Sequence, residues 1–213
     1  MGAIVVFGAG GRAGRAAVAE ALRRGHEVTA VVREPGRHAE PAADGVRLVA
    51  GDVTDPEAVA RLAAGHDAAV AAVYDPAAQP GDFFTATARA LDRGLGEAGV
   101  RRLVFVGLAS ILETASGTPL MDTPGYPQEY RPFYLAHEAG RTALAAAGGG
   151  LDWLVVSPAG DFDHQGARTG GYVTAPADAA SRVSYADFAI ALIDEIDTPR
   201  HHRTHIGVER AAA

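Results

Sequence analysis

The sequence predicts a doubly wound α/β fold, a parallel sheet covered by helices on both faces. Three observations predict it. Short runs rich in valine and alanine alternate with helix-forming stretches along most of the chain. Those runs are continuously apolar, as strands buried on both faces of a parallel sheet must be. The first of them runs directly into a glycine cluster, GAGGRAG (8–14), that opens a helix.

Each element follows in order. AIVVFG (3–8) is a strand, 12–24 a helix, EVTAVV (27–32) the second strand and VRLVAG (46–51) the third. Asp55-Pro56-Glu57 supplies an N-cap, a proline at the first helical position and an early acid, which sets a helix over 56–64. DAAVAAV (67–73), a helix over 82–98, RLVFVG (102–107), a helix over 133–147 and DWLVVSP (152–158) follow, giving an expected strand order of 3-2-1-4-5-6. Ser184, with Asp187 three residues on, caps a last helix that stops before Pro199. A strand near 204–208 completes a single domain over 1–213 with a small C-terminal elaboration.

Two connections, 108–131 and 157–171, are rich in Gly, Pro, Ser and Thr and exceed the usual loop length. Both are expected at the carboxyl edge of the sheet, where open α/β folds bind ligands. They read as segments that close over something small.

Composition narrows the function. At 213 residues, 48% hydrophobic and 21% charged, the chain suits one globular core and neither a disordered nor a membrane protein. No apolar run approaches the roughly 20 residues that span a bilayer, and MGAIVVFGAG enters a strand with no basic leader, so a cytoplasmic location is expected. The net charge of −7 argues against nucleic acid as a partner. Absence of cysteine excludes disulfides, thiol chemistry and cysteine-ligated zinc. All 19 cationic side chains are arginine. Without lysine there is no Schiff base, no P-loop lysine and no tyrosine/lysine proton-donor pair. In FYLAHE (133–138), Glu138 stands four residues after Tyr134, where that lysine would be.

The glycine cluster reads as G-x-G-x-x-A through Gly8, Gly10 and Ala13, or as G-x-x-G-x-x-G through Gly8, Gly11 and Gly14. In either register, backbone approaches a pyrophosphate closely and the helix N-terminus faces it with free N–H groups. At the end of the second strand, where NAD-binding proteins place an acid for the ribose hydroxyl, stands Arg33. Its planar fork suits a 2′-phosphate, so NADP(H) is favoured; Glu34 keeps NAD(H) open. Arg12 either binds the same phosphate or faces solvent, and Arg37 reads as a solvated loop charge. Asp52 either meets the adenine amino group, with the Val53 N–H on the ring, or simply holds a turn.

IVVFGAGGRAGRAAVAEALRRGHEVTAVVREPGR, GDVTDPEAV and DWLVVSPAGDF…GARTGGY together resemble the atypical short-chain dehydrogenase/reductases of the NAD(P)H-binding, NmrA-like group. Within it the chain is most similar to the NADH-flavin reductase and biliverdin reductase B type, over residues 3 to about 208. The resemblance implies a Rossmann fold and cofactor contacts at Gly8, Gly11, Arg12, Arg33, Asp52 and Val53. It further implies that Val73, Tyr74, Gly107 to Ser110, and Ser157-Pro158-Ala159 wall the nicotinamide.

Without the tyrosine/lysine pair, reduction of simple ketones is disfavoured, because an alkoxide needs a strong acid beside it. A conjugated, flat acceptor of flavin-like or quinone-like kind delocalises its own product charge and needs mainly positioning. Ser110, Tyr134 and His137 are the candidate proton donors. Ser110 follows the fifth strand, and a histidine with a pKa near 6.5 suits proton delivery; Tyr134 lies three residues before His137 and on the same helical face. The competing readings are loop solvation for Ser110, a packed aromatic for Tyr134 and a surface histidine for His137. His164 and Arg168, in the second long connection, meet an anionic substrate or carry solvated charge. RHHRTH (200–205) reads as a solvent-exposed tail without a metal. The leading expectation is an NAD(P)H-dependent reductase. Its rivals are a non-catalytic NADP(H)-binding redox sensor of NmrA type and a biosynthetic tailoring reductase with a private substrate. A homodimer is common for such folds, though no apolar stripe demands one.

Overall fold

The computed structural model describes residues 1–37, 45–78, 80–148 and 150–211. The last two residues of the expected domain lie outside that set. Strands and helices alternate as β1 (Ala3–Phe7), α1 (Arg12–Arg23), β2 (Glu27–Val32), β3 (Val46–Ala50), α2 (Pro56–Ala63), β4 (Ala68–Ala71), α3 (Pro80–Ala98), β5 (Arg102–Val106), α4 (Arg131–Ala146) and β6 (Asp152–Pro158). The chain then forms β7 (Asp161–Asp163), β8 (Tyr172–Thr174), β9 (Arg182–Ser184), α5 (Tyr185–Asp197) and β10 (Thr204–Arg210).

Among the described residues the main sheet has eight strands in the order β3-β2-β1-β4-β5-β6-β10-β8. The expected order of the first six strands is present. β10 extends the sheet in parallel beside β6, and β8 closes the edge antiparallel to β10. The apolar strands are buried from both sides. Val5, Phe7, Leu103 and Val155 face α2, α3 and α4, while Ile4, Val6, Val104 and Leu154 face α1 and α5. This is the Rossmann architecture in one domain, with the strand order reversing between β1 and β4.

The helix signals act as the sequence indicates. Asp55 accepts a hydrogen bond from the Glu57 N–H at 3.0 Å, and Ser184 accepts one from the Asp187 N–H at 3.0 Å. α4 starts two residues earlier than expected because Pro132 fits its first turn. No helix among the described residues is long and apolar enough to cross a membrane.

Three expectations change. The connection 108–131 is a packed lobe with short 3₁₀ turns at Ala109–Ile111 and Leu120–Asp122 and a bridge between Glu113 and Pro119. Leu112 and Leu120 pack there with Ala177, and Ile111 and Met121 with Tyr134. The connection 157–171 contains β7 and is tied down by Asp187, which accepts from the Thr169 N–H, the Thr169 hydroxyl and the Gly170 N–H. Burial raises the Asp187 pKa, but these donors outweigh it and hold the carboxyl below its ordinary range. Finally, RHHRTH is no free tail. His201 pairs with Glu195 at 2.7 Å and His202 with Asp152 at 2.9 Å, while Arg102 at the start of β5 binds both acids. The three histidines have separate partners, since His205 bonds Ser157 instead. A buried arginine-carboxylate cluster thus fastens α5 and β10 to the N-terminal edge of the sheet.

Candidate cofactor and acceptor site

A cleft of about 590 Å³ opens at the carboxyl edge where the strand order reverses. Its walls come from the β1–α1 turn, the ends of β2, β3 and β4, and the first turns of α3. Gly8, Gly10, Gly11, Arg33, Asp52, Val53, Val73 and Tyr74 all line it. Four separate strand ends therefore deliver residues expected at the cofactor to one surface.

The glycine turn is shaped by contact distance. Gly8 has φ +78°, and a Cβ there would lie 2.1 Å from the Ala72 carbonyl oxygen of the chain leaving β4. A Cβ on Gly14 would lie 2.1 Å from the Gly8 carbonyl oxygen. Both separations are far inside van der Waals contact, so only glycine permits α1 to lie this close to β1. Of the two spacings, the one through Gly8, Gly11 and Gly14 contains both positions where a side chain is excluded. Gly11 is the N-cap of α1 and makes no side-chain cap, leaving the helix start to its backbone N–H groups. Such a cradle fits a pyrophosphate.

Arg33 extends from the end of β2 across the cleft mouth to Asp75, Nη1 to Oδ2 at 2.5 Å. Asp52 holds a turn, its Oδ1 accepting from the Thr54 N–H at 2.9 Å and the Thr54 hydroxyl at 2.7 Å. Arg12 and Ala13 begin α1 beside the cleft, and Arg12 reaches across to His164 of the β7 segment. Arg168 pairs with Glu20 of α1 and Arg37 with Glu34. Arg12 and Arg168 are thus engaged with neighbours, while Arg37, 76% exposed, remains the solvated loop charge expected.

Behind Tyr74 lies an aromatic cluster, with Tyr74 and Phe83 on the cleft wall and Phe84 buried in the core. The exposed Tyr74 ring meets Phe133 edge to face at 5.4 Å, Phe133 meets Phe84 at 5.8 Å, and Phe84 lies on His137 at 3.7 Å. Phe83, on the cleft wall, meets Phe84 at 5.3 Å. Ser110 sits in the packed lobe, fully buried, with no well-formed hydrogen bond at its hydroxyl. It lies beside the Tyr126 phenol, whose pKa burial pushes up. The Tyr126 ring in turn contacts Tyr134 at 5.5 Å. The expected partnership of Tyr134 with His137 is not what forms: Tyr134 packs against Tyr126, Ile111 and Met121, and His137 against Phe84 and Phe133. The premise of an ordinary imidazole pKa also fails. Burial, helped by His205, lowers His137 to about 3, so the ring is neutral at physiological pH.

Gly107, Ser157 and Pro158 lie at the ends of β5 and β6, beside the cleft walls and not among them. Gly107 and Ser157 converge on a histidine of RHHRTH, the stretch read from the sequence as an exposed tail. His205 of β10 bonds the Ser157 Oγ through Nε2 at 2.7 Å. A Cβ on Gly107 would lie 2.7 Å from that same Oγ. Burial, then Arg141, lowers the His205 pKa to about 3.

The NAD(P)H-binding family matches residues 8–199 of this chain. The chain belongs to the NAD(P)H-binding family. A Bacillus subtilis relative of uncharacterised function, YwnB, is 37% identical over 208 residues, 93% of each chain. A Burkholderia pseudomallei protein provisionally named as exported shares 36% identity and a TM-score of 0.84, over 98% of this chain and 100% of that one. A Streptococcus pneumoniae protein provisionally named an NADH-flavin reductase shares 30% identity and a TM-score of 0.82, over 99% of this chain and 100% of that one. These neighbours agree with an atypical short-chain dehydrogenase/reductase of the NmrA-like group. As a member of the NAD(P)H-binding family, the chain has an oxidoreductase-type fold for a nicotinamide cofactor. His205 carried no sequence signal of its own. It stands between arginines and other histidines, and only the pairing of β10 with β6 brings it to Ser157.

Proposed function

We propose that the protein is a cytoplasmic NAD(P)H-dependent reductase of flat, conjugated acceptors of the flavin-like or quinone-like class. The observation that carries this reading is one cleft at the carboxyl edge that joins the glycine cradle to Tyr74 and Phe83. Behind these two rings Phe133, the buried Phe84 and His137 form a packed aromatic backing.

The cradle at Gly8 to Gly14 would hold the pyrophosphate against the start of α1. Asp52 and Val53 would border the adenine. Arg33 at the cleft mouth supports NADP(H) over NAD(H), since its fork suits a 2′-phosphate. Val73, Tyr74, Gly107, Ser157 and Pro158 would bound the nicotinamide end. When bound, NAD(P)H supplies a hydride. The residues beyond Tyr74 then have to position a planar acceptor and keep water away, a task for aromatic rings.

Protonation asks little of the protein. A conjugated product spreads its charge, so water or a weakly acidic hydroxyl suffices. Ser110 is sealed in the lobe beside the Tyr126 phenol and away from the cleft lining, so water is the better proton source. Tyr134 has its pKa raised by burial and by Tyr126, which keeps it a neutral phenol. His137, held neutral, fits packing against a ring better than acid catalysis.

The experiment mixes purified protein with NADPH or NADH and a panel of FMN, FAD and quinones, following loss of reduced-nicotinamide absorbance for the wild type and Ser110→Ala. Turnover with at least one acceptor is expected, with folded Ser110→Ala within about threefold of the wild type because water supplies the proton. Tight cofactor binding without turnover of any acceptor would overturn the reading in favour of a redox sensor or a reductase with a private substrate.

A further inference from the structure

Among the described residues, Arg33 is the one arginine lining the cleft, and it is not held there by its own strand alone. Its guanidinium is 58% exposed and reaches 2.5 Å to the carboxylate of Asp75, which is 18% exposed and lines the same cleft. Asp75 is itself fixed. Its Oδ1 accepts the Ala77 N–H at 3.0 Å, a local turn that points Oδ2 at Arg33. The pair therefore joins the end of β2 to the segment leaving β4 across the mouth of the cleft. A carboxylate in a fixed turn will remain there when the arginine is offered another anion.

We infer that Asp75 sets the cofactor preference of this protein by competing with the 2′-phosphate of NADP(H) for Arg33. The inference rests on the reading of the cleft as the dinucleotide site. A 2′-phosphate brings up to two negative charges to a cleft whose lining already carries Asp52, Asp75 and Asp82. To bind it, Arg33 must share or leave Asp75, and the phosphate must approach the carboxylate. NADH requires neither. The native pair thus narrows the advantage that an arginine at the end of β2 would otherwise give NADPH. Arg33 supplies the attraction, and Asp75 limits its size.

The test measures dissociation constants for NADPH and NADH by nicotinamide fluorescence or calorimetry, in the wild type, Asp75→Asn, Arg33→Ala and the double variant. Asp75→Asn keeps the side-chain carbonyl that accepts the Ala77 N–H while removing the charge. It is expected to tighten NADPH about tenfold at low ionic strength and to leave NADH within about twofold, with the gain shrinking as salt is added. In the Arg33→Ala background most of the gain must disappear. An unchanged NADPH/NADH ratio in Asp75→Asn, or equal tightening of both, would overturn the inference while leaving the reductase reading intact. Failure of the wild type to bind either dinucleotide would overturn both.

Discussion

The glycine-turn cleft and the aromatic edge beyond Tyr74 lie on the same rim of the sheet and are built in opposite ways. In the cleft, backbone does the shaping: two glycines let α1 approach β1, and short strand ends present Arg33, Asp52 and Tyr74 to open space. At the aromatic edge, side chains are packed against each other. Phe84 covers His137, Tyr126 covers Tyr134, Ser110 is sealed in a lobe and His205 is bonded to Ser157. A site for an invariant ligand fragment can be specified by local chain geometry. A site for a particular acceptor has to be assembled from distant residues, and that assembly distinguishes one member of a fold from another.

The largest expected effect breaks the cleft half. Gly8→Ala places a methyl 2.1 Å from a backbone oxygen at a left-handed φ. Neither atom belongs to a side chain that can turn away. A destabilisation of about 3–5 kcal/mol in urea unfolding is expected, with roughly 100-fold or greater loss of NADPH and NADH binding in whatever folds. Wild-type binding by a folded Gly8→Ala protein would show that the cradle is not the nucleotide site.

A smaller effect sharpens the acceptor half. His137 and His205 have folded-state pKa values near 3 against an ordinary 6.5. The unfolded chain therefore binds protons that the native state refuses between these limits. Stability is fully present above pH 6.5 and falls as pH drops toward 3, by roughly 3 kcal/mol per histidine at about pH 4. Urea midpoints measured across this range should decline from the neutral side, and His205→Gln should flatten the decline. A profile that stays level until the carboxylates titrate would mean that these imidazoles are not buried as described.

The same contrast explains what the sequence made legible. Gly8, Gly11 and Gly14 were readable because their role depends on spacing within one strand-turn-helix unit. Asp55 and Ser184 were readable as caps because capping is local. The first six strands and their order followed from apolar runs separated by helices. By contrast, β7, β8 and β9 are three residues long, too short for any periodicity to declare itself, and they exist through pairing with each other and with β10. The lobe at 108–131 reads as a loop because its order comes from contacts with Ala177 and Tyr134, far along the chain. RHHRTH misled for the same reason: its histidines look alike in sequence, yet each has its own partner on a separate element. Asp75 was passed over because one aspartate after a strand carries no signal until Arg33 is seen to reach it.

The central claim is that one fixed surface carries the nicotinamide from the glycine cradle to a flat acceptor. Its most direct test is single-turnover oxidation of NADPH deuterated at C4 on one face or the other, with the acceptor that turns over fastest in the panel. A fixed cleft presents one face, so deuterium on that face should slow nicotinamide oxidation severalfold, while deuterium on the other leaves it unchanged. Equal rates with both labelled cofactors, or no oxidation by the cofactor-saturated protein with any acceptor, would contradict the account.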